Sequence, residues 1–322
     1  MYTEIKQFLG PSWQEFQRCF AEQLQTDIPL LEKVNRYLLE HGGKKLRPIF
    51  SLLVAQALRG RSDEQPVISC AVASEMLHSA TLLHDDVADQ SALRRGSPTV
   101  MALYSPTSAV LIGDFWLSRA VRCIIDHPDK RVFRLFSKCL SDLAEGEMLQ
   151  LEKAVHFDTG EADYRRIIYS KTASLFETAM LTAAYSVGAT PAEEDSIGRY
   201  AYHIGMSFQM MDDILDYSPE LAIGKPTGQD LMEKKITLPL LCLFNKLGSA
   251  QARRIRKRMS KPTPDFVEEV FSLVRQHDAL SDARAVLDAE IQQAVDALEP
   301  IPDSQAKDYL VKLARMMALR TV

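Results

Sequence analysis

The chain of 322 residues is 46% hydrophobic, which is sufficient for a large apolar core. Its formal net charge of −5 at pH 7 gives no support to nucleic-acid binding. The five cysteines are odd in number and form no Cys-x-x-Cys pair, so a disulfide framework and a zinc site are both disfavoured.

The start of the chain is too polar for a signal peptide, and no uninterrupted apolar run reaches the roughly 18 residues that span a bilayer. The cysteine pattern fits reduced thiols in a cytosol. Together these features predict a soluble, cytoplasmic protein without a transmembrane segment.

Apolar residues recur with the period of a helix along the whole chain, whereas the alternating runs typical of strands are scarce. The first helix is expected over 13–39, because a Gly stop follows at Gly42. The second is expected over 44–58, with Pro48 in its first turn, where proline favours a helix start. A third begins near Gln65.

The remaining elements follow from the same periodicity and from the positions of Gly and Pro. Helices are expected over 107–126, 130–155, 163–187 and 193–217, with shorter helices over 237–319 and loops over 93–99 and 218–229. No boundary resembles a linker. The sequence therefore predicts one all-α domain over residues 1–322.

The pattern Asp-Asp-x-x-Asp occurs twice, each time at the end of an apolar helical run. The two clusters consist of Asp85, Asp86 and Asp89, and of Asp212, Asp213 and Asp216. The first and last aspartates of each cluster share one helix face, and their repulsion requires a compensating positive charge. Carboxylates suit Mg²⁺. Acidic clusters are commonly solvated surface, but the apolar flanks favour two rims of one cavity.

Basic residues accompany these clusters. Lys44 and Arg47 lie three apart near a helix N-terminus, which suits an anion or an ordinary capped helix. Arg94 and Arg95 follow the first cluster, where an internal salt bridge is the alternative. A loop with Lys225 and, further on, Lys235 follows the second cluster. An acidic cluster followed by cations, twice over, indicates metal-assisted diphosphate binding.

Taken together, these motifs resemble the trans-isoprenyl diphosphate synthases of the polyprenyl synthetase family, over roughly residues 30–245. The matching segments are Gly43-Lys44-x-x-Arg47-Pro48, Leu82-Leu83-His84 with the first cluster, Arg94-Arg95-Gly96, Gly113-Asp114, Glu145-Gly146-Glu147, Lys171-Thr172, Gln209 with the second cluster, Gly224-Lys225 and Thr237-Leu238-Pro239. Departures at Gln90-Ser91 and Lys234 remove no aspartate.

The resemblance implies an all-α isoprenoid synthase-type helical bundle around a deep central cavity, usually as a homodimer. It implies a prenyltransferase of isoprene biosynthesis that condenses isopentenyl diphosphate with an allylic diphosphate, head to tail (1'-4), giving an all-trans polyprenyl diphosphate. Mg²⁺, three ions per active site, is the implied cofactor. Asp85 and Asp89 are expected to bridge two ions and Asp212 to hold a third, with Asp86, Asp213 and Asp216 in support.

The same resemblance assigns the remaining site residues. The allylic diphosphate is expected to contact Arg94, Lys171, Lys225 and Lys235. Isopentenyl diphosphate is expected to contact Lys44, Arg47, His78 and Arg95. Lys171, Thr172 and Gln209 are the implied catalytic residues, with the hydroxyl and the amide carbonyl facing the allylic carbon.

Product length in such enzymes depends on the cavity floor beside the helix that ends in the first cluster. Ala80 and Thr81, one turn earlier, are small, and Leu77 lies one turn deeper. A product of C20 or longer is expected, with C30–C50 favoured and a geranylgeranyl diphosphate synthase as the alternative.

Three other classes of protein share some of these sequence features. A terpene cyclase is disfavoured because the second motif is Asp-Asp-x-x-Asp and because Lys44, Arg47 and Arg95, which serve isopentenyl diphosphate, are present. A non-catalytic regulatory subunit is disfavoured because all the aspartates and basic loops are intact. The catalytic subunit of a heteromeric synthase remains an alternative.

Overall fold

The computed structural model describes residues 1–94, 96–218 and 227–318. The chain forms two compact units. The first consists of Met1–Phe136, Thr178–Ile197 and Ile301–Leu310, and the second of Ser137–Glu177, Gly198–Pro300 and Val311–Val322. The expectation of a single domain over 1–322 stays a prediction.

The chain begins with helices and a minimal hairpin. In order these are α1 (Tyr2–Gln23), α2 (Pro29–Glu40), α3 (Leu46–Arg59), α4 (Gln65–Ala88), strands β1 (Leu93–Arg94) and β2 (Ser97–Pro98), α5 (Val100–Leu103) and α6 (Pro106–Ile124). The strands pair antiparallel, with Arg94 opposite Ser97, inside the segment expected to be a loop.

Helices make up most of the remaining chain. In order these are α7 (Lys130–His156), α8 (Glu161–Ile168), a π-helical turn (Tyr169–Ala173), α9 (Ser174–Ser186), α10 (Pro191–Asp216), α11 (Gln229–Met232), α12 (Leu238–Lys246), α13 (Ser249–Arg258), α14 (Pro264–Gln276), α15 (Ala279–Ala297) and α16 (Gln305–Met317). The all-α fold class is confirmed.

The single helix expected over 13–39 is wrong. The chain is helical from Tyr2, and α1 ends at Gln23, before α2 starts at Pro29. Proline lacks the N–H that would continue the earlier helix and is favoured in a first helical turn, so it separates the two. A kink at Gly10, just before Pro11, bends α1 for the same reason.

The core of the first unit is organised around α4, which contacts α1, α3, α5 and α6. Because it is enclosed on most sides, its apolar residues recur all round the helix and not in one stripe. By length and composition alone α4 could cross a membrane, but 67% of its most apolar window is buried inside the protein. That burial is expected of a core helix. In the second unit, α12, α14 and α15 pack together.

The helix expected over 163–187 is interrupted by the π-helical turn. Two glycines on neighbouring helices explain how this turn packs. A Cβ at Gly146 in α7 would lie 2.6 Å from the Ser170 Cβ, and a Cβ at Gly205 in α10 would lie 2.3 Å from the Ala173 Cα. Both helices therefore approach the turn more closely than any other residue would allow.

Candidate active site

The first acidic cluster lies at the end of α4, and its three carboxylates have different surroundings. Asp85 is half-buried, Asp86 is 4% exposed and Asp89, the C-cap, is exposed. Asp86 Oδ1 accepts from Arg94 Nε at 2.7 Å. Burial raises the pKa of Asp86, and the Arg94 charge opposes that rise. Asp86 is thus held within the protein, whereas Asp85 and Asp89 are accessible.

His84 precedes this cluster and connects α4 to α6. Its Nε2 lies 3.2 Å from the Val110 carbonyl oxygen and 3.4 Å from the Asp114 Oδ1. A Cβ at Gly113 would lie 2.2 Å from the same nitrogen. The Gly113-Asp114 motif therefore provides the space and a carboxylate partner for His84.

The cations expected to hold isopentenyl diphosphate lie around α3 and α4. The helix α3 begins at Leu46, two residues later than expected, because Lys45 adopts a left-handed conformation with φ 57°. Lys44 is exposed, with its Nζ 5.5 Å from the Tyr2 ring, while Arg47 is 7% exposed. His78 in α4 is half-buried.

The predicted chain-length residues also lie on α4. Ala80 and Leu77 are each 1% exposed, and Thr81 is half-buried. The Thr81 hydroxyl donates to the His78 carbonyl oxygen at 2.9 Å, so it is satisfied within its own helix. When a threonine hydroxyl donates to a carbonyl of its own helix, its methyl group points away from that hydrogen bond.

The second acidic cluster ends α10, in the second unit. Asp213 is 3% exposed and accepts from Tyr164 Oη at 2.7 Å and from Gln209 Nε2 at 3.0 Å. Burial raises the pKa of Asp213 to about 6. Asp212 is half-buried.

Asp216, the last member of that cluster, caps the start of α11. Its carboxylate accepts from the backbone N–H of Gln229 and from that of Asp230, each at 3.0 Å. Its backbone oxygen accepts from Gly228 N at 2.9 Å. Burial raises the pKa of the Asp216 carboxyl, and the hydrogen bonds from these three backbone N–H groups oppose that rise. The second cluster therefore repeats the first, with some carboxylates engaged by protein donors.

The π-helical turn carries the two residues expected to act on the allylic carbon. Lys171 forms an ion pair with Glu147 of α7. The Thr172 hydroxyl donates to Gln209 Oε1 at 2.8 Å. The motif Glu145-Gly146-Glu147 thus contributes both the close approach of α7 and the partner of Lys171.

A cavity of about 140 Å³ lies within the second unit. Four residues that the sequence predicted line it together, although they come from distant segments: Lys171, Gln209, Asp213 and Lys235. Among the other lining residues, Tyr164, Asp230 and Lys234 were not assigned to the site from the sequence. Their only signal was position: Tyr164 lies about two helical turns before Lys171, and the other two follow the second cluster.

Asp230 is a buried carboxyl close to the second acidic cluster. Burial and the nearby Asp213 and Asp216 charges raise its pKa well above the ordinary value. Its backbone oxygen accepts from Lys235 N at 2.7 Å, and Lys235 also forms an ion pair with Glu233.

Two predicted residues, Arg95 and Lys225, lie outside the described residues. Within the described ranges, no three His, Cys, Asp or Glu side chains converge closely enough to form a ready-made metal site. The metal-binding and substrate-binding assignments stay predictions.

The comparisons with known proteins give one consistent result. The family model described as polyprenyl synthetase matches residues 28–274. The chain is 37% identical to an octaprenyl diphosphate synthase of Haemophilus influenzae over 313 residues, covering 97% of this chain and 94% of that one. It is also 37% identical to an all-trans-nonaprenyl-diphosphate synthase (geranyl-diphosphate specific) of Rhodobacter capsulatus over 321 residues, covering 98% of each.

The fold is similar to the crystal structure of a decaprenyl diphosphate synthase from Rhodobacter capsulatus. The TM-score is 0.93 at 31% identity, with 100% of both chains covered. The resemblance that the motifs indicated is confirmed. The chain belongs to the polyprenyl synthetase family of trans-prenyltransferases.

Proposed function

We propose that this chain condenses isopentenyl diphosphate with an allylic diphosphate, head to tail, to give an all-trans polyprenyl diphosphate. The observation that carries the proposal is the cavity lined jointly by Lys171, Gln209, Asp213 and Lys235. It combines cations for a diphosphate with neutral oxygen atoms for a carbocation, which are the two needs of this reaction.

Three carboxylates have the properties of Mg²⁺ ligands: Asp85, Asp89 and Asp212 are accessible or half-buried. Mg²⁺ prefers carboxylate oxygen and usually keeps several waters, so such accessible groups fit it. Asp85 and Asp89 would hold two Mg²⁺ ions, and Asp212 would hold a third. Bound Mg²⁺ would neutralise the negative charge of the leaving diphosphate.

Three carboxylates of the two clusters accept hydrogen bonds from identified protein donors. Asp86 accepts from Arg94, Asp213 accepts from Tyr164 and Gln209, and Asp216 accepts from two backbone N–H groups. We therefore propose that the main role of these three carboxylates is to support neighbouring groups, and that direct binding of Mg²⁺ is secondary.

The cations divide between two diphosphates. Arg94, Lys171, Lys225 and Lys235 would contact the allylic diphosphate. Lys44, Arg47, His78 and Arg95 would contact isopentenyl diphosphate. Arg47 is the best placed of these for a directed contact, because its guanidinium is largely buried and presents a planar fork.

The chemistry requires that an allylic cation form, that the isopentenyl double bond attack it and that a proton leave. Thr172 and Gln209 would face the cation with oxygen lone pairs, since oxygen dipoles aimed at developing positive charge stabilise it. Lys171 would hold the departing diphosphate.

The favoured product is C30–C50. The names of the relatives point to C40 and C45, and Ala80 on α4 carries only a methyl side chain. The alternative is geranylgeranyl diphosphate, C20, if another element supplies a higher floor.

A homodimer and a cytoplasmic location complete the proposal. Val110 and Leu111 on α6 are 39% and 62% exposed, and Leu103 on α5 is 46% exposed, so this apolar surface would be covered by a second copy. The five cysteines are free, which suits a reducing compartment. An accessory subunit is the alternative partner.

The test is a product-length assay on the purified chain alone. The protein is incubated with Mg²⁺, radiolabelled isopentenyl diphosphate and farnesyl diphosphate, and the dephosphorylated products are separated by reversed-phase chromatography. We expect a ladder that ends at C40–C45 and disappears in Asp85→Ala. A stop at C20 would support the alternative product, and no incorporation until a second subunit is added would support a heteromeric enzyme.

A further inference from the structure

Four side chains of the second unit form a continuous hydrogen-bonded relay. Tyr164 Oη donates to Asp213 Oδ2 at 2.7 Å. Gln209 Nε2 donates to the other carboxylate oxygen at 3.0 Å, and Thr172 Oγ1 donates to Gln209 Oε1 at 2.8 Å. The relay therefore runs from α8 through α10 to the π-helical turn.

The direction of each bond in this relay follows from the Asp213 carboxylate. A carboxylate only accepts hydrogen bonds, so the Tyr164 hydroxyl, whose oxygen lies 2.7 Å from Asp213 Oδ2, must donate to it. The Gln209 amide must then turn its NH₂ toward Asp213 and its oxygen toward Thr172. The hydroxyl proton of Thr172 is used in that bond, which leaves its lone pairs outward.

The reverse amide orientation would change the charge presented to the cavity. With the Gln209 NH₂ toward Thr172, the threonine oxygen would accept a hydrogen bond and could turn its proton outward. A proton facing a carbocation destabilises it, whereas lone pairs stabilise it. A single flip at Gln209 would thus reverse the effect of Thr172.

We propose that Tyr164 is a positioning residue that fixes the Asp213 carboxylate and, through it, the amide orientation of Gln209 and the hydroxyl of Thr172. The inference rests on the proposed function. Three hydrogen bonds separate Tyr164 from Thr172, so the effect of Tyr164 on the Thr172 hydroxyl is indirect.

The scaffold around the relay is rigid enough for such a role. Tyr164 is 2% exposed. The next residue, Arg165, binds Glu290 of α15 at 2.7 Å, and His203 of α10 binds the other oxygen of Glu290 at 2.6 Å. The two helices that carry Tyr164 and Gln209, α8 and α10, are thereby both joined to α15.

The chain offers a matched control. Tyr169 Oη donates to Glu177 Oε2 at 2.9 Å, so Tyr169→Phe also removes a tyrosine-to-carboxylate hydrogen bond near the π-helical turn. Glu177 lies outside the relay. Any effect common to Tyr164→Phe and Tyr169→Phe is therefore general destabilisation, and the difference between them measures positioning.

The experiment is a double-mutant cycle on the full-length enzyme, with single-turnover rates and KM values for both diphosphates. We expect Tyr164→Phe to lower kcat about 10- to 100-fold, the effect of one hydrogen bond to a charged group, with both KM values within about twofold. Tyr164→Phe combined with Gln209→Ala should be no slower than Gln209→Ala alone. Tyr169→Phe should keep the wild-type kcat.

Additive losses in the double variant, or an equal loss in Tyr169→Phe, would overturn the inference. If Tyr164→Phe does not fold, Asp213→Asn tests the same relay, because an asparagine at this position permits the reversed orientation of the Gln209 amide. The loss of kcat caused by Asp213→Asn must then also vanish in the Gln209→Ala background. A wild-type protein without prenyl transfer would overturn the proposed function as well, whereas an active wild type with additive variants overturns the relay only.

Discussion

Arg94 and Asp86 form a salt bridge at 2.7 Å between the β1–β2 hairpin and the end of α4. The middle carboxylate of the first acidic cluster is therefore neutralised by the protein itself. We propose its neighbours Asp85 and Asp89 as the Mg²⁺ ligands of this cluster. The two kinds of aspartate should respond differently to substitution.

We expect Asp85→Asn to lower kcat by about 10³-fold or more, because a lost metal ligand removes several kcal/mol of charge stabilisation. Asp86→Asn should cost about 10-fold, through a displaced Arg94. Steady-state rates at several Mg²⁺ concentrations measure both. Asp85→Asn alone should raise the Mg²⁺ requirement, and a larger loss in Asp86→Asn would contradict this ranking.

Asp213 should make stability depend on pH. Its pKa is raised from 3.8 to about 6 by burial, so between about pH 4 and pH 6 the folded chain binds the extra proton. The stability from Asp213 is therefore fully present below pH 4 and is lost as the pH rises through 6. The loss is about 3 kcal/mol at most.

Urea unfolding in metal-free buffer from pH 4 to pH 7 measures this effect. The free energy of unfolding of the wild type should fall relative to that of Asp213→Asn as the pH rises. Both proteins contain the other titrating groups, so comparing the two removes the contribution of those groups. A constant difference between the two proteins across that range would contradict the prediction.

Gly146→Ala should destabilise the protein by about 1–2 kcal/mol. The new Cβ would lie 2.6 Å from the Ser170 Cβ and 3.1 Å from the Lys171 Cγ, and that overlap outweighs the helix preference of alanine. Because the π-helical turn must shift, kcat should also fall. Gly248→Ala is the control, since nothing lies within 4 Å of its Cβ and its φ of −65° is ordinary. Denaturant unfolding and kcat measurements on both variants test this prediction. Equal stability of Gly146→Ala and Gly248→Ala would contradict the predicted steric overlap.

Ala80→Tyr should shorten the product. Ala80 is 1% exposed on α4, one helical turn before His84, so a large ring there would fill the space assigned to the growing chain. We expect the main product to move toward C15–C20, measured in the chromatographic assay above. Met76→Leu, also on α4, is a volume-conserving control. An unchanged product length would show that the chain grows elsewhere.

The sequence by itself determined the helical class, the family and the two acidic clusters. These depend on local periodicity and on residue spacing, which are written in the chain. The i, i+4 spacing was enough to place Asp85 with Asp89 and Asp212 with Asp216 on shared helix faces. It also separated Asp86 and Asp213, at 100° round the helix, from their neighbours.

Only the tertiary structure decided which groups several of these carboxylates contact. Burial and partners come from distant segments: Arg94 reaches Asp86, Tyr164 reaches Asp213, and the backbone of α11 reaches Asp216. The π-helical turn also could not be predicted from the sequence. The glycines that make room for it lie on two other helices, and no local signal marks its position. Local spacing specifies which residues share a face, and packing specifies what that face meets.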